Sequence, residues 1–533
     1  MSINRQVKKI LGEILPTEGI SQFLFQRKDI GYYGMPALEK YADDFVRIIQ
    51  AANRPDQPGK KIFLFAAQYY WIEYCTVLGL ALAAMGHRIT VGYLPYPKVF
   101  VRPTRSDIGR YNRYTRNVLQ RLRPWLDSIS LLDRGHEDAL PEDLEHSVDL
   151  VSADDIKYLL QDEQVDTQLP LYQIRWERNN LAVRAAYSWL KKDRPDLLLV
   201  PNSSVLEYGM AYRAARFLNI PVVTFEFSDK REEIWLAQND DIMRQNTDLL
   251  WQACRDIPLT EKQRVQIDEM EKARMGARTF GKSERFWQDV PMSGGDKVRQ
   301  DLKLDERPIV LLATNVLGDS LTLGRDLFSS TMADWILRTI RFFMDHPQIQ
   351  LIVRVHPGER LMNGPSMVDI IKKTYPQLPE NVRLVGPLDQ VNTYDLMELI
   401  NLGLVYTTTT GLEMVMNRIP VIVAGKTHYR GRGFTLDPDS WEEYLTLLDR
   451  MHSKSSPFSL TDKQVELAWR YAYHFFFTYP LPFPWHLVDF SKDIEQWPLD
   501  RVLGPLGQAE FGRTFRYLAG ERIDWNEVIE SCS

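Results

Sequence analysis

Short apolar runs without polar alternation recur along the chain. They are KIFLFAA from Lys61, RITVGYLP from Arg88, PDLLLVP from Pro195, IPVVTFEF from Ile220, PIVLLATN from Pro308, IQLIVRV from Ile349, VRLVGP from Val382, LGLVY from Leu402 and IPVIVAG from Ile419. A strand that shows one face to water alternates polar and apolar residues; a parallel strand covered by helices on both faces reads as an unbroken run. Helical patterns such as YWIEYCTVLGLALAAMG, VLEYGMAYRAARFLN and LFSSTMADWILRTIRFFMDHP separate the runs. Strand–helix–strand repetition of this kind predicts an α/β fold of parallel sheets.

At 533 residues the chain is too long for one ordinary core. The alternation stops and restarts around SGGDKVRQDLKLDERP, which reads as an interdomain linker. The expected layout is an N-terminal helical segment over 1–55, a first Rossmann-like domain over 56–295, a second over 296–460, and an aromatic and helical tail over 461–533 that packs back across the domains. The three cysteines, Cys75, Cys254 and Cys532, lie far apart without ligand spacing and fit a reducing compartment. The start MSINRQVKKILGEILP lacks the apolar stretch of a signal peptide, and no run approaches the ~20 residues needed to span a bilayer. A cytoplasmic protein is expected, with contact at the inner face of a membrane left open. A net charge of −6 argues against nucleic acid as a partner.

Polar residues gather where the runs end, which is where open α/β sheets bind ligands. In the second half, RVHPGE supplies Arg354 and His356. TNVLGDS supplies Asn315, Asp319 and Ser320. TTTTGLEM supplies Thr408, Thr409, Thr410, Gly411 and Glu413, and HYRGRGF supplies His428, Arg430 and Arg432. A histidine locked by Pro357 and Gly358 can donate to a phosphate oxygen or take a proton. Arginines between glycines can clamp phosphate or carboxylate. Thr410 and Glu413 also match a capping box, which accounts for them structurally, although Glu413 could instead hold a ribose hydroxyl. In the first half Gln68, Tyr69, Asn202 and Ser203 stand at strand ends as candidate contacts for a second substrate, and Glu226 and Asp229 are candidate bases. Glu226 lies between Phe225 and Phe227, a setting that raises a carboxyl pKa if it is buried. Glu207 reads as a surface helix residue. No acidic pair has convincing metal spacing, so no metal and no cofactor is expected.

The succession TNVLGDS, RVHPGE, TTTTGLE, PVIVAG, HYRGRGFTLD and an aromatic FFFTYPLPFP tail resembles the capsule polysaccharide biosynthesis proteins, capsular Kdo transferases among them. The resemblance is clearest from about Arg307 to Phe483 and fainter from Lys61 to Asp229. It implies a GT-B fold, with two Rossmann-like domains facing a central cleft, a nucleotide-sugar donor on the C-terminal domain and a glycan or glycolipid acceptor mostly on the N-terminal one. It also implies that His356 and Thr408–Thr410 hold the donor phosphate. The expected activity is metal-independent glycosyl transfer from a nucleotide-activated sugar, a CMP-Kdo-like donor included, in capsule or surface polysaccharide synthesis. A glycerol- or ribitol-phosphate transferase, a nucleotide-sugar epimerase and a non-catalytic nucleotide- or glycan-binding member stay open as alternatives.

Overall fold

The computed structural model describes residues 33–52, 59–132, 139–228, 230–278, 280, 289–362, 364–452 and 458–531. Asp229 lies outside the described residues. The first half forms β1 (Lys61–Ala67), β2 (Arg88–Leu94), β3 (Asp127–Ser130), β4 (Leu197–Pro201), β5 (Val222–Phe227) and β6 (Glu233–Gln238). The second half forms β7 (Ile309–Ala313), β8 (Gln350–Arg354), β9 (Val382–Val385), β10 (Leu402–Val405) and β11 (Val421–Val423), and the tail adds β12 (Leu481–Pro482).

The second sheet has five strands in the order β11-β10-β7-β8-β9, all parallel. Read from the other edge this is the doubly wound 3-2-1-4-5 order, with its switch point between β7 and β10. The first sheet repeats that order through β3-β2-β1-β4-β5, with its switch point between β1 and β4. It departs from the expected parallel sheet at one edge, where β6 pairs antiparallel with β5 and β12 antiparallel with β6. The short link between β5 and β6 is the cause, since a parallel partner needs a crossover of a dozen residues or more. The two doubly wound sheets give the chain the GT-B fold.

Two cores follow. One is confined to the second domain and includes Leu312, Trp335, Phe343, Val353, Leu404, Ile422, Tyr444 and Leu448. The other spreads from the first sheet into the tail, where Trp485, Phe511, Phe515 and Tyr517 are buried with Phe65 and Leu199, and takes in Leu311, Ile352 and Val423 of the second sheet.

The carboxyl edge of the second sheet meets the first domain along a seam. The helix Glu142–Leu160 stops at Gln161, whose φ of 53° turns the chain. Glu163 then accepts hydrogen bonds from the backbone of Met332 and Ala333, each at 2.9 Å, and so caps the helix Met332–Met344 of the other domain. Gly318, after β7, has φ 66°, and a Cβ there would come within 2.1 Å of the Lys157 carbonyl oxygen. Only glycine allows that approach in that conformation.

Candidate active site at the domain seam

The end of β7 ties its two neighbours together. Thr314 donates its N–H to the Arg354 carbonyl at 3.1 Å, and its hydroxyl accepts the His356 N–H at 3.0 Å. The Asn315 side-chain oxygen accepts the Thr407 N–H at 3.2 Å. Adjacent residues on one strand thus fix the ends of β8 and β10 at the switch point, where doubly wound sheets bind ligands. His356 is half-buried there, and its Nδ1 accepts the Gly358 N–H at 3.0 Å. A neutral ring with Nδ1 used as an acceptor carries its proton on Nε2. The Thr408 hydroxyl donates to Thr410 Oγ1 at 3.1 Å and accepts the Thr410 N–H at 3.3 Å. Thr409 and Thr410 are half-buried. Among the described residues, the Thr407 hydroxyl and His428 Nε2 are buried polar atoms without a hydrogen-bond partner.

Asp319 and Ser320 sit in the loop after β7. Asp319 accepts the Leu321 N–H at 3.0 Å, and burial raises its carboxyl pKa. His428 stacks on Phe475 with ring centroids 3.8 Å apart, and its Nδ1 lies 2.9 Å from the Tyr471 hydroxyl. Burial, together with Arg325 and Arg432, holds its pKa far below the usual histidine value, so the ring is neutral.

Other expected donor contacts are turned inward. Arg354 donates to the carbonyls of Gly386 and Val391 at 2.5 and 3.0 Å, and burial lowers its pKa to about 10. Arg430 is taken up by the carbonyls of Val423, Asp437 and Pro438 and by the Asp439 carboxylate, so it holds its own loop closed. Arg432 bonds Asp248 at 2.6 Å and Thr247 at 3.2 Å, strapping the two domains together. Glu413 makes no capping box. The helix Thr410–Met416 has no side-chain cap at Thr409, and Glu413 is buried between Arg274 at 2.5 Å and the Tyr394 hydroxyl at 2.8 Å. The N–H groups of Gly411 and Leu412 already bond the Thr408 and Thr409 carbonyls. Gly411 is required by packing, because a Cβ there would lie 2.5 Å from the Tyr429 hydroxyl.

On the first sheet the ends of β1 and β4 adopt left-handed backbone at non-glycine residues: Gln68 (φ 62°), Asn202 (φ 51°) and Leu206 (φ 60°). Each such residue costs about 1–3 kcal/mol and persists only where its surroundings hold it. The holding network was not foreseen from the sequence. Glu207 is fully buried, 2.6 Å from Arg178 Nε and 3.2 Å from Arg175. Arg175 also pairs with Asp155 at 2.9 Å, and Asp155 accepts the Leu206 N–H at 2.5 Å. Gln68 donates to Glu207 at 3.2 Å and accepts from the Tyr208 hydroxyl at 2.7 Å, so both ends of its amide are used within the protein. Burial by itself would raise the Glu207 pKa, but Arg175 and Arg178 outweigh it and hold it at about 2. Glu207 is therefore a buried, ionised residue rather than a surface one. The available signal was the i, i+3 pair Arg175 and Arg178 in PLYQIRWERNN, which places two guanidinium groups on one helix face. Tyr69 is buried against Tyr33 and Tyr70 and is a packing residue.

Asn202 and Glu226 do meet. The Asn202 amide donates to Glu226 at 3.1 Å, and the other Glu226 oxygen accepts the Phe227 N–H at 3.0 Å. The Asn202 oxygen turns the chain by accepting the N–H groups of Ser203 and Ser204. Those two hydroxyls donate to Asp241 at 2.6 and 2.7 Å. Burial raises the Glu226 pKa, and its two hydrogen bonds offset only part of the rise.

Two further carboxyls are pushed up to about 7 by burial: Glu359, beside Ser366, and Glu271, beside Asn417 and near Glu413. Both bind a proton more tightly folded than unfolded, where the value is 4.5. Each therefore favours the folded state below about 4.5, and that contribution is lost as pH rises through about 7. Glu271→Gln is expected to leave the unfolding midpoint nearly unchanged at a pH below the unfolded value of 4.5 and to raise stability by up to about 3 kcal/mol at a pH above about 7. Equal midpoint shifts at both pH values would show that the Glu271 carboxyl does not titrate in this window.

Residues 243–453 match the model of the family described as "Capsule polysaccharide biosynthesis protein". The match spans the second sheet and every donor-side residue named above. Among solved structures, the chain is similar to the beta Kdo 2,4 transferase of Thermosulfurimonas dismutans KpsC (16% identity, 51% of this chain and 78% of that one, TM-score 0.32). It is also similar to the beta Kdo 2,7 transferase of the same protein (13%, 60% and 92%, TM-score 0.32). A third similar structure is the UDP-GlcNAc 2-epimerase of Neisseria meningitidis bound to UDP-GlcNAc (11%, 78% and 99%, TM-score 0.27). No curated protein matches.

Proposed function

We propose that the protein is a glycosyltransferase of capsule or surface polysaccharide synthesis that uses a nucleotide-activated sugar. The observation that carries this reading is His356. It lies within the family-matched segment, at the switch point of a doubly wound sheet, and its Nδ1 accepts the Gly358 N–H, which puts the proton of the neutral ring on Nε2. Such a donor suits a phosphate oxygen that gains charge as the sugar leaves. The donor set proposed around it is Asn315, Thr408, Thr409, Thr410 and His428, with Asp319 and Ser320 in the adjoining loop.

On the acceptor side Glu226, oriented by Asn202, takes the proton of the acceptor hydroxyl. The acceptor oxygen bonds to the anomeric carbon, and the bond from that carbon to the nucleotide phosphate breaks. A carboxyl whose pKa is raised by burial is a better base near neutral pH than an ordinary one. Metal independence is part of the proposal. The proposed acceptor is a glycan or glycolipid and the proposed location is the cytoplasm. No helix among the described residues is long and apolar enough to cross a membrane.

The test is thermal unfolding of the whole protein with CMP, CDP, UDP, GDP and CDP-glycerol, repeated with His356→Ala. One nucleotide is expected to raise the midpoint, and the variant to bind it about tenfold or more weakly, as loss of a hydrogen bond to a charged group implies. A shift by CDP-glycerol alone would favour a phosphoryl transferase. No shift with any nucleotide would overturn the donor assignment.

A further inference from the structure

The charge of this chain is unevenly placed. Residues 102–123 hold seven arginines and one acid, Asp107, for a net charge of +6, so the rest of a chain of net −6 carries −12. The arginines are Arg102, Arg105, Arg110, Arg113, Arg116, Arg121 and Arg123, and all seven are exposed. Four of them lie on the helix Arg105–Gln120, which packs Thr115, Val118 and Leu119 into the domain and leaves Arg105, Arg110, Arg113 and Arg116 exposed, Arg116 on the flank where it hydrogen-bonds Tyr93. Arg102, Arg110 and Arg121 pair with Glu177, Asp107 and Asp43, in contacts exposed enough to contribute little. Arg105, Arg113, Arg116 and Arg123 form no ion pair among the described residues. The helix is about 24 Å long, so these charges make a ridge rather than a point.

We infer that this ridge docks the protein on a membrane surface rich in anionic lipid. Charge complementarity requires an extended anion. The ridge is the convex outer face of a helix already packed on its domain, and that shape suits a plane better than a strand that must be wrapped. Half-buried Phe100 and Val101 flank its start, where apolar side chains can enter the headgroup region. The contact is peripheral and mainly electrostatic, because the apolar face of the helix is used inside the protein, so salt weakens it strongly. The segment also follows directly from the carboxyl end of β2, on the edge of the sheet that carries Asn202 and Glu226. Docking there presents the acceptor side of the seam to a lipid-borne substrate. Vesicle binding is read without turnover, so this inference stands or falls apart from the proposed activity.

The test is sedimentation of the full-length protein with vesicles of phosphatidylcholine alone and with about a third phosphatidylglycerol, the density of surface charge at which basic segments bind. The wild type is expected to sediment with the anionic vesicles at low salt, to be released at high salt, and to ignore the neutral ones. R105E/R113E/R123E is expected to partition at least tenfold less with an unchanged unfolding midpoint. If that variant fails to fold, R105Q/R113Q/R123Q removes the charge without reversing it. Absence of binding to anionic vesicles, equal binding by the folded variant, or tighter binding to soluble DNA than to vesicles would each overturn the assignment.

Discussion

Replacing Glu207 with alanine is expected to destabilise the first domain by about 3–5 kcal/mol, the range for removing one partner of a buried ion network. The size follows from what is left behind. Arg175 and Arg178 are both buried, and without Glu207 only Asp155 remains to balance two guanidinium charges. Burial already raises the Asp155 pKa despite Arg175 beside it, so Asp155 cannot take over the role. The strained turn at Gln68 also loses a side-chain partner. Urea unfolding followed by tryptophan fluorescence should show a lower midpoint at unchanged slope. A combined change of Glu207 to leucine and Arg178 to methionine, which leaves the buried Arg175–Asp155 pair intact, should recover much of the loss, since an apolar replacement of a buried ion pair is often tolerated. A cost below about 1 kcal/mol for Glu207→Ala would mean that water reaches the network and screens its charges.

Glu226→Gln should lower kcat by about 10²–10⁴-fold, the usual contribution of a positioned general base, with donor affinity nearly unchanged. Glutamine keeps the shape, and its single oxygen can still accept the Phe227 N–H, while the hydrogen bond from the Asn202 amide is lost because an NH2 group cannot accept it. The raised pKa of the native carboxyl adds a second readout. Wild-type kcat should rise as pH increases through that value, because only the ionised form accepts a proton, and the variant should lose this limb. Full activity with the limb intact would move the base elsewhere. A uniform drop that keeps the limb would give Glu226 a positioning role.

The strands were legible because burial on both faces leaves a local signature. KIFLFAA is β1 residue for residue, and VIV lies within the predicted IPVIVAG run. The edge strand β12 was not, since two residues, one of them Pro482, show no periodicity and are strand only because β6 lies beside them. Charged residues were the hardest to place, because sequence spacing gives their chemistry but not their partner. Arg430 and Arg432 sit between glycines like ligand clamps, yet loop carbonyls and Asp248 of the other domain claim them. Glu413 has the spacing of a capping box, but Arg274 lies 139 residues away in sequence and supplies a full charge where the cap offers only a dipole. His356, Thr408 and Thr410 were easier to place because their positions are set by the strand ends themselves.

The route of the chain has a consequence for synthesis. One of the two cores of the second domain is complete by Met451, whereas the first domain still lacks Trp485, Phe511, Phe515 and its last strand when that happens. On the ribosome the domain begun first is therefore finished last. Until the final helices emerge, the nascent protein carries a half-built sheet with the outer edge of β6 open, the kind of edge that recruits other chains. Truncations within the last 50 or so residues should accordingly appear as insoluble protein rather than as a shortened enzyme.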